Sequence, residues 1–74
     1  MSNIISKTDA SNKFQITVQS INVLLKEKSI SPYYIKNRKT ELVSDIQLAK
    51  FIVSNKENFF ANTYIIAVDL LDSE

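Results

Sequence analysis

The sequence predicts a small single-domain α+β protein, and three observations favour that class. Residues prone to form strands (Ile, Val, Thr, Phe and Tyr) number 26 of 74, whereas Ala and Glu, which fill helix bundles, number four each. Apolar alternation indicates strands near both ends of the chain. A capped amphipathic segment indicates a helix between them. Read in order, the elements predict a two-layer sandwich with β-α-β-β-α-β order.

The first predicted strand and helix lie within residues 13–30. Phe14, Ile16 and Val18 alternate with polar residues, which indicates a strand with one apolar face. Further on the apolar spacing becomes helical, and Ser20 is a suitable N-cap. The same stretch also fits a helix throughout, so strand-then-helix is the preferred of two interpretations.

A hairpin is predicted after Pro32, which cannot donate to a strand ladder. Residues 33–35 and 41–43 are strand-forming ends around a polar middle, and we expect them to pair. Asn37 is the residue there that best tolerates a positive φ in the absence of glycine. The alternative places Ser31 and Pro32 at the start of one long helix.

Residues 44–55 form the best-supported helix. Ser44 and Gln47 match a capping box, with the hydroxyl at the N-cap and the amide three residues later. Asn55 is suited to a left-handed stop where glycine is usual. The predicted buried stripe consists of Ile46, Ala49, Ile52 and Val53.

The final predicted element is a buried strand over residues 62–71, because apolar side chains occupy both of its faces and Asp69 is its one charged residue. A helix fits the same residues. The overall alternative is a three-helix bundle over residues 13–29, 32–55 and 57–72. A chain without glycine favours the bundle, since bundles need fewer tight turns.

The residue types that are missing exclude much active-site chemistry. The chain has no Gly, His, Cys or Trp. Phosphate-binding glycine loops, structural zinc sites of Cys and His, haem ligation by His or Cys, thiol catalysis and Ser-His-Asp catalysis all require one of these residues. We therefore expect a protein that is not an enzyme and that uses no cofactor, no metal and no disulfide.

Length and composition predict one small domain with a tail. Residues 1–12 are polar and aperiodic, and we expect a flexible N-terminal tail before a globular domain over residues 13–74. A core this small rarely supplies more than about 3–5 kcal/mol, so an oligomer or a complex is expected. We see no signal peptide and no apolar run of bilayer length, which predicts a soluble cytoplasmic protein.

The leading functional hypothesis is a protein-binding module: a subunit, adaptor or inhibitor acting through an apolar surface, or a homo-oligomer. The C-terminal third holds more apolar residues than a core of this size is expected to bury, and such a surplus marks an interaction site. The predicted contact residues are Phe59, Phe60, Tyr64, Ile66, Val68 and Leu70.

The alternative hypothesis is nucleic-acid binding through the segment 33–39. Aromatic rings can stack on bases while neighbouring cations bind phosphates. The predicted contacts are Tyr33, Tyr34, Lys36, Arg38 and Lys39. The acidic residues Asp69, Asp72 and Glu74 are expected to be solvated and not to hold a metal ion.

Overall fold

A computed structural model describes residues 3–73 and contains a three-stranded antiparallel sheet with four α-helices. The elements in chain order are β1 (Ile4–Ser6), α1 (Lys7–Phe14), α2 (Val18–Lys26), β2 (Tyr33–Tyr34), β3 (Glu41–Ser44), α3 (Asp45–Ser54), a 3₁₀ turn (Lys56–Asn58) and α4 (Ala61–Asp72). The α+β class is confirmed, whereas the predicted β-α-β-β-α-β order is replaced by β-α-α-β-β-α-α.

The sheet has the order β1-β3-β2, so β3 is central and both of its neighbours are edge strands. Ile5 lies opposite Val43, and Tyr33 lies opposite Leu42. The predicted pairing of residues 33–35 with 41–43 is therefore confirmed for the residues that form β2 and β3.

The core lies where the helices meet one face of the sheet. Helices α3 and α4 form the most extensive helix pair, and α1 contacts β1, β3, α2 and α4. The fully buried large side chains come from all four α-helices, from β3 and from the segment before β2: Phe14, Ile21, Ile30, Val43, Leu48, Ile52 and Thr63. This core is continuous from the first helix to the last.

The predicted strand over residues 62–71 is wrong, because these residues form α4. Thr63 and Ala67 are buried at helical spacing, and Leu70 packs against the core. Asp69 is exposed, as a residue on the outer face must be. Ile65 lies on that same outer face and is 54% exposed, so an apolar residue outside the core obscured the helical period. The bundle alternative had a helix here.

The predicted strand around residues 14–18 is also wrong. Phe14 ends α1 and Val18 begins α2, and Gln15 takes a left-handed conformation between them. The alternation of apolar residues thus comes from a helix–turn–helix junction. Thr17, not Ser20, is the N-cap of α2, and its hydroxyl accepts a hydrogen bond from the Ser20 N–H at 3.0 Å.

The predicted tail boundary is corrected as well. Residues 4–12 form β1 and most of α1, so the domain begins well before residue 13. Residues 1–2 lie outside the described part of the chain. The Ser6 hydroxyl caps α1 by accepting from the Asp9 N–H, and Ala10 is fully buried. Long-range pairing with β3 orders a segment whose own composition carries no periodic signal.

In this chain without glycine, other residues adopt the positive φ values that turns and helix ends require. Asn37 has φ 69°, which confirms the prediction, while Gln15 and Lys28 take the other positive φ values in the described residues. Asn55 follows α3 with φ −129°, so the predicted left-handed stop is wrong. Ordinary side chains therefore occupy left-handed positions here at some conformational cost.

Helix α3 is confirmed, and so is its N-cap. The Ser44 hydroxyl accepts from the Gln47 N–H at 3.2 Å. The Gln47 side-chain oxygen accepts from the Ser31 N–H at 3.0 Å. Gln47 therefore links α3 to the segment that leads into β2.

Asp45, the first residue of α3, is fully buried, and each of its two carboxylate oxygens accepts a hydrogen bond. Its Oδ1 accepts from the Asn3 N–H at 2.9 Å, and its Oδ2 accepts from the Lys13 ammonium at 3.0 Å. Burial raises the pKa of Asp45, but these hydrogen bonds outweigh it and hold the pKa below its ordinary 3.8. The junction joins the start of the chain, α1 and α3.

Candidate functional site

Exposed apolar side chains are concentrated in two places that the rest of the fold leaves open. One is a groove between α2 and the chain before α4. The other is the β2–β3 hairpin. The groove and the hairpin share no residue, so each is described separately.

The groove consists of two adjoining hollows. One has a volume of about 300 Å³ and the other about 180 Å³. Ser20, Asn58 and Phe59 line both of them, so the two hollows lie side by side. The remaining lining residues are Gln15, Ile16, Thr17, Val23, Leu24, Glu27, Phe51 and Phe60. Most of the surface inside the groove is apolar.

Local structure holds the aromatic wall of this groove. Phe59 follows the 3₁₀ turn, and its N–H donates to the Lys56 carbonyl at 3.2 Å. Its ring meets the Phe51 ring edge-on, with centroids 6.2 Å apart. Phe60 is the extended N-cap residue of α4, a position where a side chain that can accept a hydrogen bond is usual. Phe60 provides no such bond, and 84% of its surface is exposed.

The six residues predicted as a protein interface are not all on one surface. Phe59 and Phe60 line the groove. Ile66 and Leu70 pack against the core, and Val68 is partly buried on α4. Tyr64 is also partly buried, with the Lys56 ammonium 5.9 Å from its ring centroid. The structure thus brings two of the six residues together as a surface.

Sequence reasoning missed the α2 side of the groove. Val23 lines the groove and is 51% exposed, and Ile16 lines its other end. If residues 13–30 are taken as one helix, Phe14, Val18, Ile21 and Leu25 share an apolar face, and Ile16 and Val23 lie off it. That mismatch was the available signal, because an apolar residue off the buried face of a helix is exposed unless something covers it.

The five predicted nucleic-acid contacts do lie together, on the β2–β3 hairpin. Tyr33 is 42% exposed and Tyr34 is 59% exposed. The three basic residues of the turn, Lys36, Arg38 and Lys39, are exposed as well. The Arg38 N–H donates to the Ile35 carbonyl at 2.9 Å, which closes the turn. We call these five residues the hairpin surface.

The register places the two tyrosines on opposite faces of the sheet. Tyr33 lies across from Leu42 and Tyr34 lies across from Glu41. The Tyr34 hydroxyl donates to Glu41 Oε2 at 3.4 Å, and the Lys7 ammonium donates to Glu41 Oε1 at 2.8 Å. The hydrogen bond from Lys7 is the main cause of the lowered pKa of Glu41. Glu41 therefore restrains the Tyr34 side chain through a hydrogen bond, and the Lys7 ammonium neutralises the charge of Glu41.

The cations of the hairpin surface have no intramolecular partner among residues 3–73. The described ion pairs join Lys7 to Glu41 and Lys13 to Asp45. The whole chain carries a net charge of +1, so the three hairpin cations leave −2 for the rest of the molecule. Positive charge is thus concentrated on the hairpin.

Neither a protein-family model, nor a curated protein, nor a solved structure matches this chain. Within residues 3–73, no helix has both the length and the apolar character required to cross a membrane. In the same residues no three acidic side chains come together as a group that could hold a metal ion. Asp69 and Asp72 are exposed on α4, and Glu74 lies outside the described residues.

Proposed function

We propose that this chain is a protein-binding module that seats an apolar segment of another protein in the groove between α2 and Phe60. The observation that carries the proposal is the 84% exposure of Phe60 beside an apolar hollow. A large aromatic ring held in water on the rim of a groove is typical of a contact residue.

The energetics support an interface at this site. Fully burying a phenylalanine side chain is worth about 1.5–3 kcal/mol relative to leaving it exposed. Val23 faces the groove from α2 and is half exposed, so a partner would remove it from water together with Phe60. The edge-on contact between Phe51 and Phe59 keeps the groove wall in place before the partner arrives, which lowers the ordering cost of binding.

The shape and charge of the groove indicate the kind of partner. Helix α2 has nine residues and therefore gives the groove a wall of about 13 Å, enough for two or three apolar anchors of an amphipathic helix. Glu27 is the charged residue of the lining, and it lies in the larger hollow. A partner helix with apolar anchors and a Lys or Arg beside Glu27 matches this arrangement.

Peptide selection tests the proposal directly. A displayed library of helical peptides is selected on the intact protein, and affinities of the selected peptides are then measured by titration calorimetry. We expect peptides with anchors at i, i+3 or i+4, and we expect Val23→Ser or Phe60→Ser to weaken them at least about tenfold.

The matched control is Ile65→Ser, because Ile65 is also apolar and half exposed but does not line the groove. It should leave the affinity unchanged. A library that yields no such peptide, or peptides that tolerate both groove substitutions, would refute the proposal. Sedimentation of the unliganded protein shows separately whether the chain associates with a second copy of itself.

A further inference from the structure

We infer that the hairpin surface is a second binding site, distinct from the groove, and that its ligand is a single-stranded nucleic acid. Three properties of the hairpin carry this inference: unpaired positive charge, exposed aromatic rings, and the position of β2 at the edge of the sheet.

The exposed positive charge of the hairpin surface favours a polyanionic ligand. Lys36, Arg38 and Lys39 lie within four residues, are exposed, and form no ion pair with residues 3–73. The two described ion pairs, by contrast, join lysines of α1 to acids of β3 and α3. Cations left unpaired in a cluster attract a polyanion, and the −2 on the rest of the molecule directs it to the hairpin.

The rings select single strands over duplexes. A base can stack on an exposed tyrosine only when it is not already stacked within a duplex. Tyr33 and Tyr34 project from opposite faces at the edge strand β2, so a strand that crosses this edge can place one base on each ring. The hydrogen bond from Tyr34 to Glu41 restrains one ring before binding.

An acidic peptide would satisfy the cations but would leave both rings without a role. Tyr33 and Tyr34 are 42% and 59% exposed and lie beside three cations. This arrangement fits a ligand in which flat rings alternate with negative charges, as they do in a nucleic acid strand. The groove offers no comparable site, because Glu27 is the charge in its lining.

Fluorescence anisotropy with a labelled single strand of about 12 nucleotides, oligo(dT) or oligo(rU), tests the inference on the full chain. Three phosphate contacts predict a slope of about −2 for log affinity against log salt, hence a loss of about 20-fold between about 50 and 200 mM salt. The triple change Lys36→Glu, Arg38→Glu, Lys39→Glu should abolish binding. Tyr33→Ala or Tyr34→Ala should each weaken it about tenfold.

Two matched controls separate a site from general attraction. The triple change Lys26→Glu, Lys50→Glu, Lys56→Glu alters the net charge equally at other exposed lysines, and it should retain most of the binding. Ile65→Ala removes an exposed apolar side chain outside both the hairpin and the groove, and it should change nothing. Circular dichroism melts confirm that every variant is folded.

The inference is overturned by any of four results. These are no binding at low salt, equal loss in both triple variants, no effect of either tyrosine change, and equal or tighter binding of a duplex or of poly-glutamate. None of these results bears on the groove, so the protein-binding proposal stands or falls separately.

Discussion

The Asp45 junction and the hairpin surface use charge in opposite ways. Asp45 is fully buried, and its two oxygens accept from the Asn3 N–H and from Lys13. Lys36 and Arg38, on the hairpin, are exposed and have no partner within residues 3–73. A buried charge with all its partners is committed to the fold, whereas an exposed and unpaired charge contributes little to stability and is available for binding.

Phenylalanine shows the same contrast. Phe14 is fully buried at the end of α1, where its carbonyl also accepts a hydrogen bond from Thr63. Phe60 is exposed at the start of α4. Phenylalanine is thus a core residue at position 14 and a surface residue at position 60. Substitutions should distinguish residues that stabilise the fold from residues that are free to bind, and the predictions below run from the largest expected effect to the smallest.

The largest effect is expected at Asp45. Asp45→Ala removes the acceptor of both Asn3 and Lys13 at a buried site, and breaking such a pair costs about 3–5 kcal/mol. The Lys13 side chain keeps 35% of its exposure and can rehydrate, so we expect about 3 kcal/mol. Urea unfolding measures the change in the free energy of unfolding.

Asp9→Ala is the matched control, because Asp9 is an exposed acid on α1. Its change should stay within about 0.5 kcal/mol. The folded pKa of Asp45 is below 3.8, so its stabilisation is present above that pH and is lost as the pH falls through the folded pKa. Asp45→Asn should lack this acid-dependent component. If both proteins lose stability in parallel below pH 3.8, the junction does not act as described.

A smaller effect is expected at Thr63. Its Oγ1 donates to the Phe14 carbonyl at 2.8 Å in the core, so Thr63→Val leaves a buried acceptor without this partner while keeping the side-chain shape. The expected loss is about 1–2 kcal/mol. Thermal unfolding of Thr40→Val, a change at an exposed position of the β2–β3 connection, provides the comparison. Equal melting temperatures for the two variants would show that this bond does not link α1 to α4.

The smallest effect on stability belongs to the hairpin surface. The triple change of Lys36, Arg38 and Lys39 to Glu should alter the free energy of unfolding by no more than about 0.5 kcal/mol, because these side chains contact no acid in the described fold. A loss comparable to that of Asp45→Ala would mean that the hairpin cations serve the fold, and the contrast between the two regions would disappear.

Local signals predicted the elements that they control. The Ser44 cap marks the start of α3, and Pro32 and Asn37 mark the hairpin, because capping and turn preferences act over a few residues. The five hairpin residues were therefore identified as a group. The groove was not, because Val23 and Phe60 become its two sides only when α2 packs beside the segment before α4.

The missed elements depend on distant partners. The segment 4–12 shows no periodicity by itself, yet β1 pairs with β3 some forty residues away. The apolar pattern of residues 62–71 fits either a strand or a helix, and packing against α3 and α1 decides for the helix α4. Contacts of this range override local preference.

By itself, the sequence favoured the α+β class over a helix bundle and predicted the hairpin and the helix after Ser44, and it lacks the residue types that glycine-, histidine- or cysteine-dependent sites require. The tertiary structure alone decided that the C-terminal apolar segment is a helix, that Asp45 is buried and paired, and that Phe60 stays in water. The physical reason is that composition and turn chemistry are properties of neighbouring residues, whereas burial depends on which distant surfaces a segment meets.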